Sequence, residues 1–146
     1  MRRFKFRLET ALRLRKRAEQ EALSALAEAE RAVSAARTRL AEADAVRTTH
    51  ERRCESAGNE GVIDMAWLIV SARYASALDA RIADAAAALA LAGRERDVRL
   101  ATFAERRAER EALEKLREKQ VQAHRDEEAR EEQAFLDDTT SLRRAA

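Results

Sequence analysis

Apolar residues in the first third of the chain recur at alternating steps of three and four positions. This spacing puts them on one face of an α-helix and is the a/d pattern of a coiled coil. Charged residues interrupt the pattern at Arg15, Glu19 and Arg47. The clearest members of the pattern are Leu8, Leu12, Ala22, Leu26, Ala29, Val33, Ala36, Leu40 and Ala43. We therefore predict a first helix over about residues 4–56, with local faults in its seam.

A cluster of turn residues follows this helix. Two glycines and an asparagine lie between Ser56 and Gly61, and they are the only turn signal in the sequence. Gly58 and Gly61 can adopt positive φ, which ends a helix and reverses the chain. Asp64 is suited to cap the next helix. We predict a turn at about residues 57–63 and a second helix over about 64–140.

A second apolar seam follows the turn through Leu68, Ala75, Leu78, Ile82, Ala85, Leu89 and Ala92, and continues less regularly to Leu116. Short turns make successive helices antiparallel neighbours. Folding about the turn pairs positions whose numbers sum to about 121, which places Phe4 near Leu116 and leaves about 118–140 unpaired. The predicted fold is all-α: one domain over residues 1–146, an antiparallel coiled-coil hairpin whose second helix is longer and overhangs.

Composition supports long helices. The chain has no proline and only three glycines, and 38% of its residues are charged, as is typical of coiled coils. Disorder is the alternative for so charged a chain, but 46% hydrophobic residues oppose it. Residues 1–17 carry eight basic side chains and Glu9 as their single acid. This basic end suits RNA, anionic lipid or an acidic protein face, and its lack of glycine that would bring the backbone close disfavours nucleic acid.

The sequence offers little catalytic chemistry. It has no glycine-rich phosphate loop, nucleophile elbow or HExxH pattern, so we predict no enzyme activity and no cofactor. His50 and Cys54 lie four residues apart on one helix face, but a closed metal site needs more ligands. A histidine and a cysteine in the seam near the turn are the favoured reading over a metal site. A single cysteine fits a reducing compartment, so we expect a cytoplasmic protein.

Two aromatic residues follow the turn. Trp67 and Tyr74 are seven residues apart and share one helix face. They either cap the seam or form a contact patch, since Trp and Tyr dominate interface hot spots.

Three segments together resemble the FliJ family. The opening from Phe4 to Arg15 has the form Phe-x-Phe-x-Leu-Glu-x-x-Leu-x-x-Arg, which is similar to the start of FliJ-family proteins. The segment Trp67–Ile82, after a short glycine-containing turn, resembles the family's second helix. The tail Arg130–Asp138 resembles the family's C-terminal stretch, although Asp138 stands where the family usually has glutamate.

The resemblance implies a soluble component of the bacterial flagellar type III export apparatus, cytoplasmic and peripheral at the inner membrane. Implied partners are the hexameric export ATPase, the cytoplasmic domain of the export gate FlhA and export chaperones. On this reading the open end, where both termini meet, enters the ATPase ring, with candidate contacts at Arg13, Arg17, Gln120, Arg125, Arg130 and Gln133. The turn-proximal half then faces the gate, with candidate contacts at Val46, His50, Tyr74 and Leu78.

Three other functions fit the same pattern. The nearest is the equivalent stalk protein of a virulence-type secretion system. A generic structural coiled coil that dimerises through its exposed faces would show concentration-dependent sedimentation. A basic-end binder of RNA or membranes would show a steep salt dependence.

Overall fold

The computed structural model describes residues 4–61 and 63–145, which form two helices and no strand. Helix α1 runs Glu9–Glu60 and contains 52 residues. Helix α2 runs Met65–Ala145 and contains 81 residues. The helices pack as an antiparallel coiled-coil hairpin in which α2 is the longer partner, so the predicted fold class is confirmed.

The ends of α1 differ from the sequence prediction. The helix begins at Glu9 rather than at about residue 4. The preceding segment, Phe4–Leu8, is not helical, and its Phe6 side chain is buried. The Glu9 amide donates to the Phe6 carbonyl at 3.2 Å. At its other end α1 continues through Gly58 to Glu60. One helical glycine costs only about 1 kcal/mol relative to alanine, so it does not stop the helix by itself.

The reversal itself uses Gly61 and Asp64. Gly61 has a φ of 70°, a left-handed conformation that glycine adopts without a Cβ clash, and its amide donates to the Gly58 carbonyl at 3.4 Å. The amide of Trp67 donates to Asp64 Oδ1 at 2.7 Å. This is the side-chain geometry of a helix N-cap, so the predicted role of Asp64 is confirmed.

The packing falls into two compact units. The first comprises the described residues of Met1–Ala22 and Phe103–Ala146, here called the terminal unit. The second is Leu23–Thr102, here called the turn unit because it contains the reversal. The expectation of one domain over residues 1–146 stays a prediction.

The turn unit has a thin seam made mainly of small side chains. On α2, Leu78 is almost fully buried, whereas Leu68 is 46% exposed although its spacing predicted a seam position. Helix α2 begins only at Met65, so Leu68 lies in its first turn, off the line of the buried face. The buried residues of α1 in this unit are Leu26, Ala29, Val33, Ala36 and Ala43. Such small residues let two helices approach closely but bury little apolar area per turn.

The terminal unit combines a small apolar core with charged contacts. Phe6 and Leu12 are buried, and Phe103 and Leu113 of α2 are half-buried. The Phe4 ring packs edge-on against the ring of His124, with centroids 5.6 Å apart. Phe4 therefore lies beside His124, and the prediction of Leu116 was wrong. The turn is centred between Glu60 and Met65, later than we assumed, which moves each partner on α2 to a higher number.

Candidate interaction surfaces

A polar cluster joins the two helices near the turn. His50 Nε2 lies 3.2 Å from both the carbonyl oxygen and the hydroxyl of Ser71. Cys54 Sγ lies 3.1 Å from the Ser71 hydroxyl and 3.5 Å from His50 Nε2. The His50 ring also meets the Tyr74 ring edge-on, with centroids 4.9 Å apart. These polar contacts join α1 to α2 near the turn, and Tyr74 packs against the cluster while remaining 47% exposed.

Beside this cluster, α2 exposes several large apolar side chains. Met65, Leu68, Ile69 and Val70, here called the apolar tip surface, are all exposed. No residue from 65 to 72 is charged. Exposed apolar patches of this kind mark interaction sites more often than scattered single residues do. Sequence reasoning missed this surface, although the uncharged run was a visible signal for it.

The four predicted gate contacts occupy different environments in the turn unit. Tyr74 is 47% exposed, and Val46 is exposed at a similar level. His50 is half-buried within the polar cluster. Leu78 is only 2% exposed and belongs to the seam. Val46 and Tyr74 therefore offer surface to a partner, whereas Leu78 supports the helix that presents Tyr74.

Charged side chains cross the seam of the terminal unit. Arg15 Nη1 lies 2.6 Å from Glu109 Oε2. Arg110 binds Glu19 through two nitrogens, at 2.6 and 3.1 Å, and also pairs with Glu114. In the turn unit Arg47 pairs with Asp79 at 2.7 Å. All three charged residues that interrupt the α1 pattern therefore have an opposite charge on α2.

These contacts shift the pKa values of the groups involved. Hydrogen bonds from Lys16, and then from Arg110, hold the pKa of Glu114 below its usual value. The pKa of Arg110 is raised, chiefly by its hydrogen bond to Glu19. The hydrogen bond to Asp79 raises the pKa of Arg47 in the same way. Each of these three pKa shifts favours the charged form of its group.

The predicted ring contacts are all in the terminal unit and all exposed. Arg13 donates to the Thr10 hydroxyl at 3.4 Å, and Arg17 pairs with Glu21 at 3.1 Å. Gln133 donates to Asp137 at 2.9 Å. The remaining three, Gln120, Arg125 and Arg130, are exposed along α2. The structure thus gathers the two predicted contact sets into two different units.

No helix within the described residues is long and apolar enough to cross a membrane. Among the residues that the structure describes, no three His, Cys, Asp or Glu side chains lie close enough together to hold a metal ion.

Two long helices paired in an antiparallel hairpin define a coiled-coil protein. The chain belongs to the family of flagellar FliJ proteins, whose family model matches residues 4–146. A comparison with curated proteins gave no match. A solved structure of a YscO homologue from Chlamydia trachomatis has the same fold, with a TM-score of 0.72 and 20% identity over 96% of this chain and 94% of that one. The family comprises structural stalk proteins of type III secretion and is not a known enzyme family.

Proposed function

We propose that this protein is the coiled-coil stalk of a flagellar type III export apparatus, where it couples the export ATPase ring to the export gate and assists export chaperones. The observation that carries the proposal is the flagellar family match over residues 4–146. On this proposal the protein works in the cytoplasm and reaches the inner membrane only through its partners. No nucleotide binds the stalk itself.

The separation of the two contact sets supports two simultaneous partners. Arg13, Arg17, Gln120, Arg125, Arg130 and Gln133 all lie in the terminal unit, where they would meet the ATPase ring. Val46, His50, Tyr74 and Leu78 all lie in the turn unit, where Val46 and Tyr74 would meet the cytoplasmic domain of the gate and the buried Leu78 would support the helix that presents Tyr74. Partners on different units need not compete for the same surface. Differential contacts with ring and gate then bias when each one engages.

The gate contact is tested by binding of the full chain to the gate's cytoplasmic domain from the same organism. Replacing the exposed Tyr74 with alanine is expected to weaken binding by roughly tenfold or more, since a truncated hot-spot residue costs about 2 kcal/mol or more and about 1.4 kcal/mol corresponds to tenfold in affinity. Leu91→Ala is the matched control, because Leu91 is 68% exposed on the same helix. Unchanged binding of Tyr74→Ala, in a chain of normal helicity, would remove Tyr74 from the gate surface.

The ring contact is tested by the same assay with the export ATPase hexamer. Arg125→Glu and Arg130→Glu together reverse two exposed charges of α2 without touching the seam. We expect them to abolish ATPase binding while gate binding persists. Comparing the flagellar ATPase with that of a virulence-type system separates the proposal from its nearest alternative. Binding of neither ATPase by a folded wild-type chain would leave only a structural coiled coil.

A further inference from the structure

The face of α2 that packs against the N-terminal segment continues beyond that segment. Val121 and His124 are half-buried on this face, and His124 meets Phe4. At helical spacing the same face continues through Glu128 and Glu131 to Phe135. Phe135 is 69% exposed. Nothing in the described part of the chain covers this stretch, here called the acidic extension (residues 125–140).

The charge of the acidic extension limits what can cover it. Residues 126–138 contain seven acidic side chains and a single basic one, Arg130. Phe135 and Leu136, both well exposed, lie in the middle of these charges. Two such faces would repel one another, because like charges would come into contact. A covering surface must therefore be basic with an apolar centre.

The same chain carries a surface of that description on α1. Opposite the buried Leu12, the outward side of the helix presents Thr10, Arg13, Leu14 and Arg17, here called the basic outer face. Leu14 is 62% exposed. Arg13 and Arg17 flank it and make only local contacts, with Thr10 and Glu21 respectively. Both contacts are solvent-exposed and easily exchanged.

We propose that two copies of this chain associate reciprocally, the acidic extension of each copy packing on the basic outer face of the other. Because α2 is antiparallel to its own α1, a two-fold axis perpendicular to the helices makes the extension run parallel to the α1 of its partner. The face of the extension that meets the partner's α1 is the continuation of the α2 face that packs against its own α1. Both contacts form at once, so the assembly closes as a dimer.

The dimensions of the two surfaces agree. The extension of residues 125–140 spans about 24 Å at about 1.5 Å per residue. The part of α1 in the terminal unit, from Glu9 to Ala22, spans about 21 Å on the same basis. Setting Phe135 over Leu14 brings Glu131 within one turn of Arg13. Two short helix contacts form a small interface, so we infer a concentration-dependent dimer rather than an obligate one.

This association goes beyond the proposed stalk function, and a chain in the dimer cannot make the proposed contact with the ATPase ring. The basic outer face contains Arg13 and Arg17, which are also proposed ring contacts. A dimer covers them, so a chain cannot be paired in this way and inserted in the ATPase ring at the same time. Copies that are not bound to the ATPase ring would therefore be present as dimers.

Sedimentation of charge-reversed chains over a range of protein concentrations tests the proposal. One variant carries Arg13→Glu and Arg17→Glu, and the other carries Glu131→Arg and Glu132→Arg. Each alone is expected to remain monomeric where the wild type dimerises, because both of its contacts join like charges. An equimolar mixture restores opposite charges at both contacts, so it is expected to dimerise. Far-UV circular dichroism on each variant verifies that the helices persist.

The apolar centre is tested by Phe135→Ala, with Leu91→Ala as the matched control of equal exposure on the same helix. Phe135→Ala is expected to weaken the dimer at least tenfold, and Leu91→Ala to leave it unchanged. A wild type that stays monomeric at every concentration would overturn the proposal. So would a dimer that survives both charge reversals, or a mixture that fails to associate.

Discussion

Replacing Leu78 with alanine tests whether this residue belongs to the seam or to the contact surface. Its side chain is 2% exposed, so the substitution removes buried methyl groups from between the helices. Buried Leu→Ala changes cost about 2–5 kcal/mol, and the value depends on how far the site collapses. A two-helix seam is open at its edges and relaxes readily. We therefore expect the lower part of that range, about 2–3 kcal/mol.

Tyr74→Ala provides the comparison one turn away on the same helix. Tyr74 is 47% exposed, so about half of its ring already lies in solvent. Its loss removes the edge-on contact with His50, and such aromatic pairs contribute about 0.5–1.5 kcal/mol beyond area burial. Leu78→Ala should therefore destabilise the fold more, whereas Tyr74→Ala should weaken partner binding more.

Urea unfolding followed by far-UV circular dichroism measures the difference in unfolding free energy. Thermal unfolding should show a lower Tm for Leu78→Ala, by about 5–10 °C for a chain of this size. A midpoint for Leu78→Ala equal to that of wild type would refute the assignment of Leu78 to the seam. Weak gate binding by a variant of unchanged stability would then make Leu78 a direct contact.

Three further predictions concern charges and glycines. Glu114 has a pKa in the folded state below its usual value of 4.5, so its ionised form stabilises the fold above pH 4.5. This contribution disappears as the pH falls through the lower folded pKa. Glu114→Gln should therefore make the urea midpoint depend less on pH over that acidic window. Glu19→Arg and Arg110→Glu should each lower the urea midpoint, and the double variant should lose less than the sum, as a double-mutant cycle would show. Gly93→Ala should raise the unfolding free energy by about 1 kcal/mol, because an added Cβ meets nothing within 4 Å. Gly61→Ala should lower it by about 1–2 kcal/mol, because φ is 70° there, and equal effects at both glycines would contradict this reasoning.

Periodicity predicted the elements and most of the seam because helix packing repeats every seven residues. Leu12 and Val33 are buried as their spacing required. Near the turn the same reasoning failed for Leu68. Periodicity identifies Leu68 as an apolar position on a helix face, but it does not show whether α1 covers that face. The start of α2 was predicted to within one residue from Asp64, but the exposure of Met65 and Ile69 could not be read from periodicity.

The contacts of charged side chains were harder to predict than the apolar seam. Arg15, Glu19 and Arg47 appeared as faults because the pattern shows their positions but not their partners. Identifying a partner across a hairpin requires the turn centre, and a small error there shifts every pair. The complementarity of the acidic extension and the basic outer face could not be predicted for the same reason. Residues 1–17 were recognisably basic, but only the structure places Leu14 among exposed cations.

The ion pairs of the seam also bear on how the chain finds its native state. The apolar positions Ala22, Ala29, Ala36 and Ala43 repeat at a strict interval, so sliding one helix by a heptad buries nearly the same area. An energy landscape built on alanine alone would have several minima of similar depth. Sliding α2 so that residue 102 replaces residue 109 puts Thr102, Phe103 and Ala72 opposite Arg15, Glu19 and Arg47. Each of these charges then loses its partner on α2, which raises the free energy of the misaligned hairpin relative to the native one.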